Sequence, residues 1–224
     1  MATVALDISV LHATSRVRGI GRYVYDLARG LHTLAPSTPR VVGLELTAFT
    51  GKATLHPQLG PAAERLRNGG TPMISHARWA YRQRFGLARA ARRAQLALLH
   101  TGHPEATPLA WGRHVRRVTT CHDLIPFRYP QFYIGWRDGF AAGRKRIDAR
   151  RYRRADHIIA VSRASADDLM RLLDIAAAHI SVVLNGVDVS SWSAIPTPDD
   201  AALRARLGAD EGPYLLYVGA ADWR

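Results

Sequence analysis

The sequence predicts an α/β protein with a doubly wound, mostly parallel, Rossmann-like sheet, and three observations carry that prediction. Short apolar runs alternate along the chain with segments of helical periodicity. The runs are apolar throughout rather than half-polar, as strands covered by helices on both faces must be. The first run passes through a glycine turn straight into a helix, the opening of a βαβ unit.

Thr3 to Val10 reads as a buried first strand, followed by a loop from Leu11 to Arg18. After Gly19-Ile-Gly21, the residues Tyr23, Val24, Leu27, Ala28, Leu31 and Leu34 recur at helical spacing, and Pro36 and Pro39 end the helix. Arg40 to Leu46 is the second strand. Thr47 to Pro72 shows little periodicity and predicts a long loop with a short helix near Ala62 to Arg67. A basic helix from Ser75 to Ala94 feeds a strand from Leu96 to His100, and a further strand spans Val115 to Thr120.

Asp138 to Arg154 is the most basic helix, with Ile147 and Tyr152 among its few apolar anchors. A strand follows from His157 to Val161. Ser162 or Ser165 can cap the next helix, since Ser165-Ala-Asp-Asp168 has the spacing of a capping box. Ile180 to Leu184 is one more strand, ending at Asn185-Gly186. Residues 1–189 are thus expected to form one Rossmann-like domain, with 190–212 a linker containing a short helix at Asp200 to Leu207. Pro213 to Gly219 then reads as a buried strand, and 213–224 as the first strand of a second domain that is expected to be cut off.

A hydrophobic content of 47% over 224 residues supports a substantial core and argues against disorder. The single cysteine, Cys121, excludes an intrachain disulfide and a cysteine-rich zinc module, and fits a cytoplasmic setting. The N-terminus does not read as a signal peptide, and no apolar run is long enough for a bilayer span. Lys and Arg number 31 against 18 Asp and Glu, leaving +13, nearly all arginine. That balance fits either polyanionic partners or a genome that favours arginine codons.

Several local motifs occur in order. They are Gly19-Ile-Gly-Arg-Tyr23, Thr120-Cys-His-Asp-Leu124 with Pro126 and Tyr129-Pro130, Ala155-Asp-His-Ile-Ile-Ala-Val-Ser162, Asn185-Gly-Val-Asp188, and Tyr214-Leu-Leu-Tyr-Val-Gly219 ending in Asp222-Trp-Arg224. Together they resemble glycosyltransferase family 4 over essentially the whole chain. The resemblance implies a retaining transferase of the two-domain GT-B architecture, with this chain as its N-terminal, acceptor-side half.

On the residues themselves, Gly19 and Gly21 offer either close backbone approach to a ligand at a helix N-terminus or a tight packed turn. The resemblance places that loop near the donor diphosphate and the acceptor. It makes His122 the catalytic-site histidine that contacts the donor sugar or its phosphates. Asp123 either orients that imidazole or caps the following turn. Ser162 either bonds a ligand or caps its helix.

Asn185, Gly186 and Asp188 match the family's segment at the interdomain cleft, and Arg224 matches its diphosphate-binding arginine. The lysine after that arginine and the family's Glu-x7-Glu region have no counterpart here, so negligible transfer is expected from this chain alone. His100 and His103 have a spacing open to a metal, but no metal and no cofactor are expected beyond the nucleotide-sugar donor. The implied acceptor is a lipid-linked glycan or polysaccharide. The Gly-Ile-Gly-Arg-Tyr and His-Asp-Leu-Ile-Pro forms resemble mannosyl and rhamnosyl members, and the basic helix would rest against the anionic inner face of the cell membrane. The competing reading is a non-catalytic basic module that grips nucleic acid, against which no nucleic-acid motif and no interleaved aromatics appear.

Overall fold

The computed structural model describes residues 2–34, 40–47, 52–69, 86–109, 114–133, 139–189, 197–209, 212–215 and 217. The backbone divides into two compact units, Met1–Asn185 and Gly186–Arg224. The first is built on a seven-stranded sheet of order β3-β2-β1-β4-β5-β6-β7. Its strands are β1 (Val4–Asp7), β2 (Val41–Leu46), β3 (Ala53–His56), β4 (Leu98–Thr101), β5 (Arg116–Cys121), β6 (His157–Ala160) and β7 (Ile180–Val182).

Every neighbouring pair of strands is parallel except β2 and β3. Val4 is in register with Val41 on one side and with Leu98 on the other. The chain therefore runs outward from β1 through β2 to β3, then returns to the opposite flank of β1 at β4. That reversal is the topological switch point, where open α/β sheets leave a crevice beyond the carboxyl ends of their strands.

The helix α1 (Gly19–Thr33) buries Gly21, Val24, Tyr25 and Ala28, an i, i+3, i+4, i+7 stripe, against the sheet. With α2 (Leu59–Asn68) and the helical residues 86–93 (α3) it covers one large core that includes Leu6, Leu44 and Leu99. Burying each such leucine is worth roughly 1.5–3 kcal/mol before entropy is counted. A second core gathers Cys121, Leu124, Tyr152, Ile158, Leu169 and Leu173. It lies among the β5 end, the short helical turns α4 (Ile125–Arg128) and α5 (Pro130–Tyr133), α6 (Gly139–Arg154), β6 and α7 (Arg163–Leu173).

Two expectations for this first unit need correction, and a third falls partly outside the described residues. The loop expected from Thr47 to Pro72 contains β3, which pairs antiparallel with β2, and a helix that begins three residues earlier than read. Its strand alternates weakly over only four residues between glycine-rich flanks, too short for periodicity to register. The cap of α7 is Ser162, not Ser165: the Ser165 N–H donates to Ser162 Oγ at 3.1 Å, placing Ser165 inside the first turn. The expected helix over Ser75 to Ala94 is seen from residue 86, its first part lying outside the described residues.

The basic helix α6 forms as expected, but its charges are partly spent inside the fold. Arg151 is only 4% exposed and donates to Asp148 Oδ1 at 2.7 Å, while Arg153 and Arg154 donate to the carbonyls of Leu173 and Leu109. Lys145 lies over the Phe127 ring. Among the described residues, no helix is long and apolar enough to cross a membrane.

In the second unit, α8 (Pro198–Arg206) starts at Thr197, whose N–H donates to the Asp200 carboxylate at 2.6 Å. The expected buried strand is not seen at 213–215, where Tyr214 and Leu215 are exposed, as is Tyr217. Its apolar side chains have no second layer to pack on within the described residues, and apolar composition alone does not make a strand. Val218 and Gly219 lie outside the described residues.

Candidate active site

Strand order brings three connecting segments to the switch point: the segment after β1, Gly102 after β4 and His122 after β5. After β1 the chain makes two 3₁₀ turns, Ser9–His12 and Thr14–Val17, and enters α1 at Gly19 with no side chain capping the helix. Uncapped N–H groups at such an end favour an anion.

The two glycines of this entry do different work. A Cβ at Gly21 would lie 2.4 Å from Arg16 Cα and from Ser15 O, so Gly21 is required by its own loop, which folds back on the helix. A Cβ at Gly19 would meet nothing within 4 Å. Gly21 is thus packed against its own loop, whereas Gly19 borders open space.

His122 is half-buried and held from three sides. Its Nε2–H donates to the Gly102 carbonyl at 2.8 Å, so the neutral ring carries its proton on Nε2. Its ring meets Tyr23 of α1 edge to face, with centroids 4.9 Å apart and planes at 87°. Its own carbonyl accepts from Ser165 Oγ at 2.9 Å, which ties the backbone to the first turn of α7. Burial lowers its pKa, against smaller upward pulls from the Gly102 bond and the Asp123 charge, which favours the neutral ring.

Behind it, Thr120 Oγ1 hydrogen-bonds Tyr23 OH at 3.0 Å and His100 Nε2 at 2.9 Å. His100 belongs to β4 rather than to a loop, and burial pushes its pKa down to about 4. His103 is buried after β4. Among the described residues no group of three or more metal-ligating side chains converges.

The remaining residues singled out by sequence are placed as follows. Asp123 is exposed, and its Oδ1 accepts from Ile125 N at 3.0 Å; it caps the turn into α4 and makes no hydrogen bond to the imidazole. Ser162 is committed to capping α7: its Oγ accepts from Ser165 N and donates to Ser165 Oγ at 3.0 Å. Its hydroxyl proton is thus engaged within the fold, and Ser162 is the N-cap of α7. Asn185 is exposed at the end of the first unit, while Gly186 and Asp188 are exposed in the second. Arg224 lies outside the described residues.

Sequence reading missed two buried carboxylates near this edge. Glu45 of β2 accepts from His12 Nε2 at 2.8 Å, His56 Nε2 at 2.6 Å and Arg65 at 3.2 Å. The His12 bond first, with help from His56, holds its pKa down to about 2 against the cost of burial. Asp7, at the end of β1, accepts from the backbone and the hydroxyl of Ser9 and from no other described residue, and burial pushes it up to about 6. A glutamate inside an apolar strand and histidines far apart in sequence were the only local signal, but their meeting depends on strand order.

The sequence model of glycosyltransferase family 4 matches residues 17–191, from the entry into α1 to just beyond β7. None of the curated protein sequences compared with the chain matches it. Among solved structures, the crystal structure of Anabaena Alr3699/HepE in complex with UDP is similar at a TM-score of 0.51 and 17% identity. The same protein in complex with UDP-glucose gives a TM-score of 0.54 and 15% identity. Each alignment covers 94% of this chain and 50% of the other, so the chain spans about half the length of these structures. At such identities the likeness speaks to fold, and it is the same α/β, Rossmann-like fold. The match over most of the chain, with its motifs lying on the β1–α1, β5 and β6 segments just described, shows that this chain belongs to glycosyltransferase family 4.

Proposed function

We propose that this chain is the acceptor-side half of a retaining glycosyltransferase that moves a hexose, mannose being the first candidate, from a nucleotide sugar to a lipid-linked glycan or polysaccharide. The observation that carries the reading is His122. A neutral imidazole with its proton committed to Gly102 sits at the switch point, at the same edge of the sheet as the uncapped start of α1. The ligands of the structurally similar HepE, UDP and UDP-glucose, support a nucleotide-sugar donor.

The arrangement suggests a division of labour. A neutral ring protonated at Nε2 has Nδ1 as an acceptor, suited to a sugar hydroxyl rather than to a phosphate. The diphosphate falls to the N–H donors of the helix end at Gly19, dipolar groups that stabilise a departing nucleoside diphosphate. No resident cofactor is called for. Arg146 and Arg150 of α6 are exposed and are the residues we assign to an anionic membrane surface.

The test is turnover of a panel of UDP- and GDP-sugars by this chain beside the full product of its gene. We expect turnover only in the full product, and a loss of at least about 100-fold on His122→Ala, in the range of one lost transition-state contact. An unaffected His122→Ala enzyme would overturn the assignment of His122. Silence toward every donor, with steeply salt-dependent duplex binding, would replace the transferase reading with a polyanion-binding module.

A further inference from the structure

We propose that the consecutive α1 residues Tyr23 and Val24 are positioning residues for His122, one bracing the imidazole and the other bracing the carbonyl to which it is bound. The inference deepens the reading of His122 given above and rests on it for its functional meaning.

Two independent contacts support it. Tyr23 meets the imidazole edge to face, and its hydroxyl is tied to Thr120, which is in turn tied to the buried His100. The aromatic ring is thus fixed at both ends, by its backbone on α1 and by its phenol on β5. Val24 is fully buried, and its Cγ2 lies 2.3 Å from where a Cβ on Gly102 would stand. Nothing larger than glycine fits there, so the turn after β4 packs directly on α1. The bond from His122 Nε2 to Gly102 O, 2.8 Å long, therefore has each partner seated against an adjacent residue of one helix.

The chemical consequence is tautomer selection. A free imidazole exchanges its proton between two nitrogens, whereas a ring held on a carbonyl keeps it on one. Tyr23 and Val24 hold that geometry without touching a ligand through their own polar atoms, since the phenol is committed to Thr120. Burial of the ring, which lowers its pKa, works in the same direction.

The experiment is ¹⁵N correlation spectroscopy of the His122 ring in this chain, with circular dichroism as the check on folding. In the unmodified chain we expect a single Nε2–H tautomer, with widely separated Nε2 and Nδ1 signals. In Tyr23→Leu and in Gly102→Ala the two signals should move toward the averaged position of a free imidazole. In the double variant Val24→Ala/Gly102→Ala, which removes the obstructing methyl, they should return toward the original separation.

Tyr23→Phe keeps the ring and removes only the tie to Thr120, so it decides the matter if Tyr23→Leu does not fold. Its signals should shift part of the way. His122 signals unchanged in Tyr23→Phe and in Gly102→Ala, or no recovery in the double variant, would overturn the proposal. The readout needs no turnover, so its failure is distinguishable from failure of the transferase reading.

Discussion

Strand β1 separates two histidine-bearing regions that differ in what the rings bind. On its β2 side, His12 and His56 close on Glu45, and the carboxyl is held down to about 2, first by the His12 bond. On its β4 side, His100 and His122 face a threonine hydroxyl and a backbone carbonyl, and burial lowers the pKa of both rings. The lesson is that a buried histidine takes its character from its partner. The Glu45 carboxylate gathers His12, His56 and Arg65 into one hydrogen-bonded cluster, whereas a hydroxyl and a backbone carbonyl each hold a single ring in surroundings that disfavour its charged form.

The largest test of that contrast removes Glu45. Glu45→Ala leaves His12, His56 and Arg65 around a vacated buried site and should cost about 3–5 kcal/mol in urea unfolding at pH 7. Because the folded pKa of Glu45 is depressed, its stabilisation is present above its ordinary value near 4.5 and is lost as pH falls toward about 2. The variant should lack that part of the acid limb. An unfolding curve matching the parent at every pH would show that the cluster is not what holds the β2–β3 edge.

The two glycines at the start of α1 sharpen the comparison at the ligand-facing edge. Gly21→Ala forces a methyl against loop backbone and should cost about 2–3 kcal/mol, as other overpacked sites do. Gly19→Ala meets nothing and should change stability by no more than about 0.5 kcal/mol. Equal losses at the two positions, measured by thermal unfolding, would erase the distinction between a packing glycine and an open one.

Asp7 provides the subtlest test, because it is a buried carboxylate that lacks the partners of Glu45. Its raised pKa means that its contribution is fully favourable below its ordinary value of 3.8 and is lost as pH rises through about 6. Asp7→Asn, which keeps an acceptor for Ser9, should therefore stabilise the chain by about 1–2 kcal/mol at pH 8, with the gain shrinking as pH falls toward 4. A pH-independent effect would mean that burial does not set the Asp7 titration.

Much of the fold is legible in the order of residues along the chain. The β1–turn–α1 unit, the apolar strands β4 to β6 and the helices α6 to α8 each carry a local signature: β-branched runs, a 3.6-residue stripe or a capping pattern. His122 is identifiable because its motif is contiguous and follows an apolar strand. The strand β3 is not, since four weakly alternating residues become a strand only when β2 offers an edge to pair with.

What the sequence alone determined is therefore local: the α/β class, the glycine turn, and the family to which Gly19-Ile-Gly-Arg-Tyr23 and His122-Asp123 belong. What tertiary structure alone decided is which side chains answer one another. Tyr23, Gly102, Thr120 and His122 come from separate stretches of the chain and meet only because β4 and β5 return to the far flank of β1. Glu45 looks like a polar lapse in an apolar strand until the turn after β1, β3 and α2 bring His12, His56 and Arg65 to it. The capping contacts of Asp123 and Ser162 depend in the same way on which N–H group lies within reach of each oxygen. The physical reason is that periodicity and capping act over a few neighbouring residues, whereas hydrogen bonding and burial depend on distances that only the completed chain path fixes.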